Sequence, residues 1–180
     1  MKKSKNCSIN MNKFIAFTVI FIIFAFFFAC TTKKNQVSSD PWDGKVGPDF
    51  TFSDLSGNKV SLSSLKGKVV LLDFWSSCCP ACLEKMSRLN ELQEKYRSDG
   101  LIVLCINQGD REETVRKLVK KHSIKSLVLL DPEFEAGKKY RAFALPTMVL
   151  IDRDGIIRSW KAGFHPDFEN QIREKIPELL

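Results

Sequence analysis

The residues best equipped to act on another molecule stand close together as Cys79-Pro80-Ala81-Cys82. An apolar run, Lys68 to Phe74, precedes them and a helical pattern follows, so Cys79 is expected at a strand-to-helix junction. Unpaired backbone N–H groups and the helix dipole favour negative charge there, which stabilises a thiolate and makes Cys79 the attacking sulfur. Cys82 lies one helical turn on, placed to attack a mixed disulfide formed at Cys79 and to release the reduced partner. Pro80 lacks the N–H that the first turn would leave unpaired, so it starts the helix without cost. Two other readings of the pair are weaker. Structural zinc needs two further ligands, and the histidines, His122 and His165, are isolated with no second Cys pair nearby. A purely structural disulfide would close a loop too short to remove much unfolded-chain entropy.

The elements that must position this pair follow from hydrophobic period. Phe50 and Phe52, then Val60 and Leu62, alternate around Ser56-Gly57-Asn58 and predict an opening β-hairpin. Lys68–Phe74 and Leu101–Asn107 are continuous apolar runs that suit central strands buried on both faces. Between them a single helix is expected from Cys79 to Arg97, with Leu83, Met86, Leu89, Asn90 and Gln93 inward and Gly100 as its stop. Further on, helices are expected at 111–122, 133–143 and 166–180, and strands at 127–130, 147–151 and 156–160, the last two joined by the turn at 152–155. Strand–helix–strand alternation closing on a hairpin implies an α/β domain with a mixed sheet and helices on both faces.

The chain of 180 residues has a formal net charge of +7. Lys2, Lys3, Lys5, Lys13, Lys33 and Lys34 carry six of those charges and no acid precedes Asp40, so the rest of the chain is nearly neutral. A nearly neutral domain has no electrostatic reason to bind nucleic acid. The basic start followed by the apolar run Phe14–Ala29 and Cys30 reads as an export signal over residues 1–30. Ala29-Cys30 suits a lipoprotein processing site, with Cys30 lipidated. Alternatively the segment stays as an anchor, although sixteen residues span only about 24 Å of a roughly 30 Å hydrocarbon core. Either reading leaves the lysines inside and the domain outside the cytoplasm, where disulfides persist. Residues 31–45 are polar and without period, a flexible tether, and residues 46–180 form the domain.

The segment Phe74-Trp75-Ser76-Ser77-Cys78-Cys79-Pro80-Ala81-Cys82, preceded by a strand carrying Asp73, resembles the active-site segment of the thioredoxin superfamily. Leu145-Pro146-Thr147, leading into 148–152, resembles that family's cis-proline loop. The opening hairpin, Gly67-Lys68-Val69-Val70 and the N-terminal segment narrow the likeness to the TlpA/ResA-like branch, over about residues 45 to 175. The resemblance implies a thioredoxin-like fold with an N-terminal hairpin extension, working as a membrane-tethered thiol–disulfide oxidoreductase. Its redox-active disulfide would be Cys79–Cys82, with no metal or other cofactor. It further implies a cis bond before Pro146 whose neighbouring backbone pairs with the substrate chain, and Asp73 as a buried acid that takes the proton of Cys82. Trp75 would pack against the disulfide and, with Pro80, Leu145 and Pro146, line the client-binding surface. The implied partners are disulfide-bearing exported proteins and a membrane electron donor, in work such as cytochrome c maturation. The chain would act as a monomer on the periplasmic face of the cytoplasmic membrane or as a lipoprotein.

The chain departs from that pattern at several places. Cys78 stands where the family has Trp, and Lys85 and Ser87 stand where many tethered reductases carry Glu and Pro. Glu84 is one position, about 100°, away from the family's Glu. Cys78 is expected to be a bystander, Cys105 inert core, and Cys7 part of the leader. Two further functions remain on the sequence alone. A peroxiredoxin-like peroxide reductase would place its nucleophile in Thr-x-x-Cys, whereas Ser76 and Cys79 occupy the corresponding places here. A non-catalytic lipoprotein using the fold for binding would have little use for two retained cysteines.

Overall fold

The computed structural model describes residues 42–164 and 167–180. The export signal, Cys7, Cys30, most of the tether, His165 and Pro166 lie outside the described residues.

Two short strands, β1 (Thr51–Ser53) and β2 (Lys59–Ser61), form the opening hairpin with Phe52 opposite Val60. They make a sheet of their own, joined to the main one by a bridge from Asp54 to Leu129. The main sheet begins with β3 (Val69–Trp75), all seven residues of which are buried. It continues with β4 (Leu101–Gln108), β5 (Leu127–Asp131), β6 (Thr147–Ile151) and β7 (Ile157–Ala162). Their order is β5-β4-β3-β6-β7, with β3, β4 and β5 parallel and β6 and β7 antiparallel to their neighbours. This is the expected mixed sheet.

The helices are α1 (Pro80–Glu84), α2 (Met86–Tyr96), α3 (Glu112–Lys121), α4 (Glu135–Lys139) and α5 (Phe168–Leu179). Right-handed crossovers from β3 to β4 and from β4 to β5 step the same way along the sheet, so α2 and α3 fall on one face. There Leu89 and Leu92 of α2, Val115 of α3 and Ile172 and Ile176 of α5 pack on Val69, Leu71, Val103 and Leu150. The opposite face is covered by Ala136 of α4, Tyr140 and the hairpin residues Phe50 and Phe52, packed on Val70, Leu72, Phe74 and Val149. The period of two along β3 thus divides its side chains between two cores.

Most boundaries shift by one or two residues from those read in the sequence, and three differences are larger. The expected helix over 79–97 is two helices, interrupted at Lys85, which caps the end of α1 and the start of α2. The interruption falls at a residue whose side chain is turned into the core. The helix expected over 133–143 shrinks to α4 because Phe134 (φ 58°) and Arg141 (φ 52°) adopt left-handed backbone on either side of it. At the start, Trp42–Lys45, read above as the end of the tether, packs on the domain. Trp42 stacks on Tyr140 at 6.2 Å, and Ile157 N–H donates to Lys45 O at 2.8 Å.

Candidate functional site: the Cys79–Cys82 disulfide

Strand β3 ends at Trp75, and a short loop, Ser76–Cys78, leads into α1. Cys79 is the N-cap of α1, extended at φ −108° and ψ 93°, with Pro80 as the first helical residue. Cys79 and Cys82 are joined in a disulfide, their Cα atoms 5.3 Å apart. The Cys82 N–H donates to Cys79 O at 3.1 Å and also reaches Cys79 Sγ at 3.2 Å. A hydrogen bond to sulfur is stronger when the sulfur is anionic, so this contact favours a thiolate once the bond is reduced. The two cysteines are unequal. Cys79 is 9% exposed and Cys82 fully buried, so Cys79 is the more accessible of the two.

The loop before Cys79 is held by a residue that sequence reading did not single out. Asp110, just after β4, accepts from Ser77 N–H at 2.6 Å, Ser77 Oγ at 2.5 Å and Asn107 Nδ2 at 2.8 Å. It is 33 positions from Ser77 and no local pattern announces the contact. Cys78 is exposed and unbonded, its Sγ 3.1 Å from Ser76 Oγ.

The structure brings most of the sequence-predicted residues together. Trp75, Cys79, Cys82 and Met148 belong to one buried cluster, with Leu145 packed against it. The Leu145–Pro146 bond is cis. Because Phe74 pairs with Thr147 in the antiparallel register, Pro146 stands level with Trp75, beside the disulfide end of β3. Pro146 O accepts from Gly163 N–H at 2.8 Å. Pro80 is exposed. Phe143, two residues before Leu145, and Phe164, next to the Gly163 that bonds Pro146, are also exposed.

Asp73 lies on the same face of β3 as Leu71 and Trp75, fully buried, in a row between Cys105 on β4 and Met148 on β6. It is ion-paired to Lys85, whose side chain is itself buried. Lys85, a departure from the family's Glu in the sequence, is thus the partner of the expected buried acid. A lysine placed three residues after an inward-facing Cys82 was the available signal. Burial, reinforced by the Asp73 charge, pushes the Cys105 thiol well above the ordinary cysteine range, leaving it a neutral core group. Among the described residues no group of three His, Cys, Asp or Glu side chains is arranged to hold a metal ion.

A buried thiol bonded to a more accessible one at the head of a helix, beside a cis-proline loop on a mixed sheet, is the arrangement of a thioredoxin-like disulfide exchanger. Residues 44–160 match the AhpC/TSA family, and the chain belongs to it. It is 35% identical over 137 residues to the thiol-disulfide oxidoreductase ResA of Bacillus thuringiensis subsp. konkukian, covering 76% of each chain. Among solved structures it is similar to a protein described as a thiol:disulfide interchange protein, DsbE, from Chlorobium tepidum. That match has a TM-score of 0.72 and 30% identity, and covers 76% of this chain and 96% of that one. An exposed lipoprotein thioredoxin of Streptococcus pneumoniae matches with a TM-score of 0.64 and 28% identity, over 73% of this chain and 100% of that one. The protein is a thiol–disulfide oxidoreductase of the ResA/DsbE type with a thioredoxin-like fold.

Proposed function

We propose that this oxidoreductase is exported and held at the membrane, where it reduces or exchanges disulfides in exported proteins through Cys79 and Cys82. The observation that carries the assignment of roles is the unequal burial of the two cysteines, with the Cys82 N–H within reach of Cys79 Sγ. Reduced Cys79 attacks a client disulfide as the thiolate, forming a mixed disulfide and expelling one client thiolate. Cys82 then loses its proton and attacks Cys79 Sγ, which re-forms the Cys79–Cys82 bond and releases the second client sulfur. The client gains two electrons and the enzyme becomes oxidised, so a membrane electron donor must reduce it before the next turnover.

Asp73 is the proton acceptor for Cys82 in this reading, since it lies on the sheet face that α1 covers. Trp75 supports the disulfide from beneath. Leu145 and the cis Pro146 present backbone to the client beside Cys79, with Pro80 on the other side. The exposed Phe143 and Phe164 favour apolar client segments there. Cys30 is the lipidation site, supported by the Ala29-Cys30 step after an apolar run and by the likeness to an exposed lipoprotein thioredoxin. Cytochrome c maturation is the process proposed for it, with the domain acting as a monomer. Expression of the full chain with Cys82→Ser is expected to accumulate mixed disulfides with other proteins, while Cys79→Ser is not. Equal trapping by both variants would overturn the roles.

A further inference from the structure

The mechanism above uses Asp73 but gives no work to Lys85, an ammonium buried in the same core. Charged side chains are almost never fully buried unless paired, and a buried pair is weak evidence of stabilisation, because desolvation offsets the Coulomb attraction. Its position suggests another use. Lys85 is three residues after Cys82, at the end of the same short helix, so the two side chains share a face with Cβ atoms about 5–6 Å apart. Asp73 faces the same core from the sheet. The remaining ionisable group in this row is Cys105, which stays neutral, and Met148 on the far side is apolar.

Reduction places a charge above this row that the disulfide lacks. A dithiol reductant breaks the Cys79–Cys82 bond and becomes a disulfide itself. Cys79 is left as a thiolate and Cys82 as a thiol; one of the reductant's protons goes to Cys82 and the other to solvent. A buried cation nearby favours the reduced form, and a buried anion opposes it.

We propose that Lys85 is a positioning residue that sets the redox poise of the Cys79–Cys82 pair, its ammonium offsetting the Asp73 carboxylate beneath Cys82. The dithiol and disulfide forms are balanced by two opposed buried charges, and removing either one tilts the balance in a fixed direction. This inference rests on the function proposed above.

The test is the equilibrium of the full-length chain, in detergent, with graded mixtures of reduced and oxidised dithiothreitol. It is read by alkylation and mass measurement of the peptide carrying Cys79 and Cys82. Lys85→Met is expected to favour the disulfide about tenfold, roughly 30 mV toward more negative potential. Asp73→Asn is expected to shift the equilibrium by a similar factor in the opposite direction, and the double variant to return close to the parent. A pair that served only packing would lower the unfolding temperature in both single variants and leave the potentials unmoved. If Lys85→Met does not fold, Lys85→Gln carries the same expected sign. Shifts of the same sign in both single variants, or an unshifted lysine variant, would overturn the inference. Failure of the parent chain to equilibrate with the dithiol at all would instead overturn the function proposed above.

Discussion

Replacing Asp110 with Ala should loosen the approach to Cys79 and cost measurable stability. The carboxylate accepts three hydrogen bonds, two from Ser77 and one from Asn107. Hydrogen bonds to a charged group contribute about 1.5–3 kcal/mol each, but Ser77 and Asp110 are half-exposed, so water replaces much of the loss on that side. Asn107 is different. It is 1% exposed and would be left with an unpaired buried amide, a penalty of about 1–3 kcal/mol. The sum is a loss of roughly 2–3 kcal/mol. With a urea dependence of about 2 kcal/mol per molar, the denaturation midpoint should fall by about 1–1.5 M. Asp110→Asn, which keeps one acceptor oxygen and can donate its amide to Ser77 Oγ, should lose less. Client trapping in the Cys82→Ser background should slow as well, because the loop that the clamp holds is the one that presents Cys79. A midpoint unchanged within about 0.2 M, with trapping at the parental rate, would refute the claim that this clamp orders the site.

Asp152 offers a test by pH. Burial alone would raise its carboxyl pKa, but the N–H of Ile156 at 2.9 Å, the ion pair with Arg158 at 2.6 Å and the N–H of Asp154 at 3.0 Å bring it below the ordinary 3.8. The folded state therefore binds this proton more weakly than the unfolded state. The contribution is complete above pH ~4 and is lost as pH falls through the depressed value. Asp152→Asn should be less stable than the parent at pH 7, and urea midpoints should converge as pH approaches 2; a constant gap would contradict the assignment. Gly137→Ala should also destabilise, by about 1–3 kcal/mol in the same assay, because its Cβ would overlap the amide of the buried Gln108. A neutral result would mean that the Gln108 side chain has room to move.

What could be read in the sequence, and what could not, divides along the same physical line. The strands at β3 and β4 were legible because burial on both faces demands uninterrupted apolar residues, a demand that composition carries locally. The cysteine pair and the turn into it were legible because its chemistry requires a fixed spacing at a helix start. The Asp110 clamp and the docking of Trp42 on Tyr140 are contacts between segments brought together by the parallel register of β3 with β4 or by the return of the chain across the opposite face. Nothing in the period of either partner specifies the other. The same holds for the amide groups of α2. Asn90 and Gln93 were read as part of an inward helical face, but both are half-buried. Asn90 accepts from Lys125 N–H at 2.8 Å and Gln93 from Val103 N–H at 2.7 Å, tying the helix to backbone that side-chain packing leaves unpaired. A polar residue at an inward helical position therefore carries a specific expectation: it marks where a helix crosses a strand end or loop with an unpaired N–H. Lys85 fits the same logic with charge in place of an amide. Its inward position, one turn past Cys82, required a buried anion within reach, and Asp73 was the acid already expected in that core.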